Sequence, residues 1–225
     1  LTGSVETRGL FFFTYGWVEG RLKTTPHKGS FPAFWMMPQP PADGWPKGGE
    51  IDIFETIDAQ NTAYHTLHSH WINNLGNSNN PKRSFSETVT QGDWHIFAAN
   101  WTEDLITFYV DGNPVGSYAK SQNASDIENG QWPFLHDFYL ILNQSVGDGS
   151  WAKAADTSFT YETQFDWVRV FQKNVPSGLT PAFSKGGEMG DRGWYDLSGR
   201  RISAEANSSL KRGIYIHGGR KVVIK

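Results

Sequence analysis

Apolar and polar positions alternate in short runs through most of the first 172 residues, and Gly, Pro, Asn and Asp separate the runs. That period of two predicts half-buried strands rather than helices. The clearest runs are residues 9–15 (GLFFFTY), 17–23 (WVEGRLK), 50–55 (EIDIFE), 106–110 (ITFYV) and 138–142 (FYLIL). Asp111-Gly112 directly after ITFYV predicts a tight hairpin. No stretch keeps a helical period between caps, so the predicted class is all-β. Many short strands of this kind usually close into a jelly-roll β-sandwich.

The alternation fails in two places. Residues 71–92, which include INNLGNSNNPKRS, are polar and turn-rich, and predict a surface loop after a strand ending near His70, the kind of loop that often borders a binding cleft. Residues 174–193 (NVPSGLTPAFSKGGEMGDRG) are rich in Gly, Pro and Ser without alternation, and predict a linker. The expected organisation is therefore a main domain over 1–173, a linker over 174–193 and a small β tail over 194–225. In the tail, two or three strands are expected, with Gly218-Gly219 as a tight turn. So few strands are marginal in isolation.

Composition narrows the partner. The 20 Lys and Arg against 23 Asp and Glu give a net charge of -3, so there is no basic field to attract nucleic acid or an anionic membrane. No run approaches the ~20 apolar residues that span a bilayer. Aromatic residues make up 15% of the chain, 10 of them Trp, and indole faces suit either a sandwich core or the flat apolar faces of sugars. The absence of Cys removes both a disulfide scaffold and a thiolate metal site. The chain opens at Leu1 with neither Met nor a signal-like stretch, which points to a processed or trimmed amino-terminal end.

The chemistry concentrates in Gly48-Gly49-Glu50-Ile51-Asp52-Ile53-Phe54-Glu55. Side chains alternate across a strand, so Glu50 and Asp52 share one face while Ile51 and Ile53 enter the core. Strict parity would drive Glu55 inward, where an unpaired carboxylate costs several kcal/mol. A β-bulge at Ile53 or Phe54 adds one residue and brings Glu55 beside the other two acids. Three carboxylates on one face repel one another and retain protons, which suits an acid/base device. Retaining glycosidases use two such groups about 5–5.5 Å apart. The alternatives are a solvent-facing acidic strand and a calcium site, although calcium loops usually set their oxygens on turns.

The ordered series TYGWVEGRLK, KGSFPAFWMMP, GWPKGGEIDIFE, YHTLHSHW, WPFLHDFYLILNQSVGDGSW and FDWVRVFQ resembles glycoside hydrolase family 16, the jelly-roll group of laminarinases, licheninases, agarases and carrageenases. The resemblance covers about residues 14–172. It implies a concanavalin-like sandwich with a concave substrate cleft, and an endo-acting retaining hydrolase of β-1,3-linked or mixed-linkage β-1,3-1,4-glucan that needs no cofactor for catalysis. Glu50 would be the nucleophile, Asp52 its assistant and Glu55 the general acid/base. Glu19 and Arg21 would hydrogen-bond sugar, with a surface ion pair as the alternative. Trp35 and Trp45 would be aromatic platforms, Trp35 having a core role as its alternative. His68 and Asn143 match polar cleft residues, with His70 a second candidate beside His68, and Trp151 is a further sugar-contact candidate. Asp166 matches a ligand for a structural calcium ion.

Against the family pattern, the chain lacks the amino-terminal strands that precede the segment LTGSVETRG. An uncovered sheet edge would follow, to be covered by the tail or through self-association with a second copy. The tail, DLSGRRIS followed by KRGIYIHGGRKVVIK, resembles the carboxy-terminal sorting domain of type IX secretion in Bacteroidetes, which implies a secreted or cell-surface bacterial protein. A small accessory β-unit is the alternative. Two other functions share the architecture: a lectin-like sugar-binding sandwich and an inactive truncated fragment.

Overall fold

The computed structural model describes residues 2–173 throughout and, beyond them, the backbone of four short strands. The chain divides into two compact units, Leu1–Lys173 and Asn174–Lys225. In the first, the strands are β1 (Gly3–Glu6), β2 (Phe12–Phe13), β3 (Gly16–Thr24), β4 (Ser30–Pro38), β5 (Glu50–Glu55), β6 (Thr62–His68), β7 (Ser84–Thr88), β8 (His95–Trp101), β9 (Leu105–Val110), β10 (Asn113–Ala119), β11 (Phe138–Val146) and β12 (Thr163–Phe171). Two short helices, α1 (His70–Asn73) and α2 (Ala124–Glu128), interrupt them. The fold is the all-β jelly-roll sandwich that the alternation predicted.

Two antiparallel sheets form the layers. A seven-stranded sheet runs β1-β11-β4-β5-β6-β7 with β2 also on β11, and a five-stranded sheet runs β10-β9-β8-β3-β12. The carboxylate strand β5 is thus flanked on both sides, by β4 and β6. Between the layers, Phe34, Met36, Ile51, Phe54 and Leu67 meet Val18, Leu22, Phe97, Ala99 and Phe108 in one apolar cluster. Phe54 and Phe97 bridge the sheets with ring centroids 4.2 Å apart. Full burial of one such ring contributes about 1.5–3 kcal/mol, so the core anchors β5 from below.

The hairpin at Asp111-Gly112 is present, with φ of 49° and 82°, the paired positive values that a two-residue turn of this twist requires. Two sequence expectations fail locally. Residues 9–15 do not form one strand. The backbone turns where Thr7 accepts from both Leu10 and Phe11 and the Thr7 hydroxyl donates to the Phe11 carbonyl at 2.6 Å, leaving only Phe12 and Phe13 to pair. Nor are residues 71–92 a bare loop. β6 stops at His68, Ser69 caps α1 by accepting from the Ile72 N–H at 3.3 Å, and the short polar strand β7 extends the sheet beside β6. β7 escapes a hydrophobic pattern because most of its residues face water.

In the second unit, β13 (Trp194–Tyr195), β14 (Arg201–Ile202), β15 (Gly213–His217) and β16 (Arg220–Ile224) form an antiparallel sheet in the order β14-β13-β15-β16. Four strands are present where two or three were expected. The expected linker over 174–193 and the Gly218-Gly219 turn lie outside the described residues.

Candidate active site

Two glycines set the start of β5. Gly49 has φ 86°, and a Cβ there would lie 2.9 Å from Pro133 Cγ, while one on Gly48 would meet the Asp43 carbonyl at 2.5 Å. Only glycine delivers the chain into Glu50 along this path. The β-bulge follows at Ile53 and Phe54. Asp52 pairs with Thr66 and Glu55 with Tyr64, so two residues of β5 oppose the single His65 of β6. Ile53 and Phe54 are both buried, while Glu50 and Glu55 are half-buried at the two ends of the strand. The extra residue puts Glu55 on the same outer face as Glu50 and Asp52.

Crowding and burial act on these acids together. Burial first, then the charges of Asp52 and Glu50, push the Glu55 carboxyl up to about 9, against the opposing pull of His68 and Arg83. Asp52 is 2% exposed, and burial, the Glu50 charge and a hydrogen bond with Glu50 raise it well above the carboxylate range. Glu55 therefore holds its proton at neutral pH.

His68 pairs with Glu50 across the ladder and brings Nε2 to 3.2 Å from Asp52 Oδ2. Its tautomer follows from its neighbours. The Asn73 amide is oriented because its Oδ1 accepts from the Ser69 N–H, so Nδ2 donates to His68 Nδ1 at 2.9 Å. Arg83 Nη1 approaches the same nitrogen at 3.4 Å. Nδ1 must accept, and the ring proton therefore sits on Nε2, the nitrogen nearer Asp52. Burial, the largest influence, lowers the His68 pKa and favours the neutral ring. Asp52 Oδ2 has no aligned hydrogen-bond partner among the described residues, so the 3.2 Å approach is a close contact rather than a finished hydrogen bond. Glu50, Asp52 and His68 also converge closely enough to offer three ligand atoms to an ion, all within 4.8 Å of one another.

Aromatic side chains lie at both ends of β5. Trp45, 56% exposed, has its ring 5.9 Å from that of His68, beside Glu50. Trp151, 47% exposed, meets Phe31 at 5.2 Å and Tyr64 at 5.4 Å, beside Glu55. Trp35 is the ladder neighbour of Asp52, and its indole donates to Asn143 Oδ1 at 2.7 Å. The Asn143 amide then donates to Ser145 at 2.9 Å, so Asn143 orients Trp35. His70 is half-buried on α1 and bonded to Asn74. Arg83, Asn73, Tyr64 and Phe31 were not singled out from the sequence. The signal for the first two was the turn-rich segment beside a cleft; Tyr64 and Phe31 follow only from the register.

Glu19 and Arg21 do not join this face, which corrects the expectation of sugar contact. Both lie on β3 in the five-stranded sheet, on the side opposite the buried Val18 and Leu22. Shared parity made them neighbours, but parity along one strand does not say which sheet the strand enters. Arg21 Nη1 donates to Asp166 Oδ2 at 2.6 Å and stacks over Trp94 at 4.6 Å. Glu19 accepts from the Trp17 indole at 2.9 Å and faces Arg169. Asp166, expected as a calcium ligand, is engaged through Oδ2 by Arg21.

A sequence profile of glycosyl hydrolases family 16 matches residues 2–169. A keratan-sulfate endo-1,4-β-galactosidase of Sphingobacterium multivorum is 36% identical over 82% of this chain and 41% of its own length. A β-glucanase of Rhodothermus marinus is 32% identical over 74% of this chain and 60% of its own. Among solved structures, the non-specific endo-β-1,3(4)-glucanase SCLam superposes with a TM-score of 0.67 at 32% identity, over 76% of this chain and 63% of that one. A mutant of SCLam carries a 1,3-β-D-cellobiosyl-glucose at its active site. The chain spans less than two thirds of the length of each of these relatives. A jelly roll with a bulged strand of three acids, matched by the family profile over nearly the whole first unit, leads to one assignment: the chain belongs to glycosyl hydrolase family 16.

Proposed function

We propose that residues 1–173 act as the catalytic domain of an endo-acting, retaining β-glucanase that hydrolyses β-1,3-linked or mixed-linkage β-1,3-1,4-glucan. The observation that carries this reading is the pair of half-buried carboxyls on one face of a bulged strand, one of them pushed up to about 9. Glu55 gives its proton to the glycosidic oxygen while Glu50 attacks the anomeric carbon, so that the bond to the leaving sugar breaks as the bond to Glu50 forms. Glu55, now ionised, takes a proton from water, whose oxygen displaces Glu50 and restores both acids. Asp52, beside Glu50 on the same strand face, orients the nucleophile, and the neutral His68 packs against Asp52 from the other side at 3.2 Å. Trp45 and Trp151 stack sugars on either side of the cut, and Trp35 supports the sugar nearest the acids. This chemistry requires no cofactor.

A second reading, cleavage of a sulfated β-galactan, draws on the keratan-sulfate-cleaving relative and on Arg83, a cation close enough to act on Asp52, Glu55 and His68. Reducing-end release from laminarin, barley mixed-linkage glucan and keratan sulfate, beside the Glu50→Gln variant, decides among them. Release from either glucan, lost in the variant and giving a β-configured first product by NMR, is expected. Release from keratan sulfate alone favours the second reading, and an α-configured product overturns retention. Sugar binding without cleavage on any substrate leaves a lectin-like sandwich.

We also propose that residues 194–225 form a type IX sorting domain joined to the catalytic unit by residues 174–193. The motif DLSGRRIS and the four-strand sheet support this. A reporter fused to residues 174–225 should reach the outside of a Bacteroidetes host; retention inside the cell rejects the assignment.

A further inference from the structure

β6 carries two histidines on opposite faces, and the mechanism above uses only His68. The other, His65, has no exposed surface and sits across from the bulge, alone against Ile53 and Phe54. A bulge leaves one residue outside the regular ladder. His65 Nδ1 lies 2.6 Å from the Ile53 carbonyl. A carbonyl has no proton to give, so Nδ1 is the donor and Nε2 keeps its lone pair. That Nε2 is buried and has no hydrogen-bond partner among the described residues. Around it the ring meets only core, stacked on Phe108 at 5.5 Å and tilted against Phe97 at 6.4 Å.

For packing alone this is a poor choice, since a leucine or phenylalanine would fill the space without stranding a nitrogen. The imidazole is explained by what its other nitrogen does. We propose that His65 is a positioning residue that locks the β5 bulge by donating to the Ile53 carbonyl, and so holds Glu55 on the face that carries Glu50. Its catalytic consequence rests on the reading of Glu50 and Glu55 given above. Burial lowers the His65 pKa to about 4, with the Glu87 charge and the Ile53 bond opposing. The ring is therefore neutral at neutral pH, with one proton, and the Ile53 bond fixes that proton on Nδ1.

Two substitutions separate the bond from the bulk. His65→Leu keeps an apolar side chain of similar reach and removes the donor, while His65→Asn restores an N–H near the position of Nδ1. With laminarin, His65→Leu is expected to lose about 100-fold in kcat with KM little changed, the size of effect that follows misplacing a catalytic group by about 1 Å. His65→Asn should recover most of that loss. On a dinitrophenyl β-laminaribioside, whose leaving group needs no proton, kcat/KM of His65→Leu should stay within about threefold of the parent. A fold merely loosened at its core would lose both activities together.

A readout free of turnover is the titration of the Glu55 carboxyl by carbon-13 NMR. It should fall from about 9 in His65→Leu and hold in His65→Asn. An unmoved Glu55 titration in folded His65→Leu overturns the proposal, as does equal loss on polymer and aryl substrates. If His65→Leu does not fold, a Glu55 titration or kcat in His65→Asn that departs from the parent overturns it as well. A parent protein inactive on every glycan would instead reject the proposed function, and the NMR comparison would still decide the role of His65.

Discussion

The outer faces of the two sheets are both rich in charge and in indole, and they use them in opposite ways. On the five-stranded sheet most charges meet their opposites, and Lys23 lies over the Trp94 ring at 5.2 Å instead. Arg21 binds Asp166, Arg169 faces Glu19, and the guanidinium groups of Arg21 and Arg169 cover Trp94 and Trp167 at 4.6 and 3.9 Å. On the seven-stranded sheet, Glu50, Asp52 and Glu55 share one strand, and the permanent cation acting on the titration of both Asp52 and Glu55 is Arg83. The surplus of acid has to be met by protons. The difference teaches that carboxylates mark a reactive surface where neighbours leave them uncompensated, not where they are numerous. The same strand arithmetic, applied to Glu19 and to Glu50, gives a surface ion pair in one case and an acid/base pair in the other.

The sharpest break of this contrast is to remove the uncompensated acids. Glu50→Gln should lower kcat on glucan by on the order of 10⁴-fold or more, as for other nucleophiles whose loss leaves only binding. Glu55→Gln should lower it by about 10²–10⁴-fold on polymer, and far less in kcat/KM on an aryl substrate with a good leaving group. In the parent, Glu55 works as an acid only while protonated, so kcat/KM should decline as pH rises through about 9. A decline centred near the ordinary carboxylate range would show that the crowding does not act in solution.

Glu55→Gln also tests the contrast through stability, with the opposite sign. A carboxyl whose folded pKa is raised binds more protons folded than unfolded, so its folded state loses ground as pH climbs from about 4.5 toward 9. At pH 7 that penalty amounts to about 1–3 kcal/mol for a half-buried group. Replacing Glu55 by its neutral isostere removes the penalty. Thermal unfolding at pH 7 should therefore show Glu55→Gln more stable than the parent, by roughly 2–12 °C for a domain of this size. Stability and activity would move in opposite directions, as where function holds a group in an unfavourable state. A destabilised Glu55→Gln would mean that the ionised carboxylate supports the fold.

Much of β5 is legible in the amino-acid sequence, because period and parity act within one strand. Alternation predicts a strand over residues 50–55, and the misfit of Glu55 with that parity requires a bulge at Ile53 or Phe54. The structure has the bulge there. What the sequence hides depends on which strands become neighbours. Nothing local tells that β3 joins β12 and β8 rather than β5, so Glu19 and Arg21 read as cleft residues. Nor does the string SNNPKRS say that Arg83 will fold back onto His68. In the sequence His65 is one more strand histidine, because its meaning lies in a carbonyl displaced on the neighbouring strand.

The smallest effect sharpens the comparison from its quiet side. Arg21→Ala breaks the bond to Asp166 and uncovers Trp94, yet it touches nothing on the face that carries Glu50 and Glu55. The pair is about a third to a half exposed, with relative side-chain areas of 34% and 46%. Solvent screens it, so its loss should cost about 0.5–1 kcal/mol. Glucan kcat/KM should stay within about twofold of the parent, because no charge near the reacting carboxyls changes. The measurement is a pair of numbers from one preparation, the unfolding midpoint and kcat/KM on laminarin. A large fall in kcat/KM at an unchanged midpoint would mean that sugar reaches the five-stranded sheet, and would erase the distinction between the two faces.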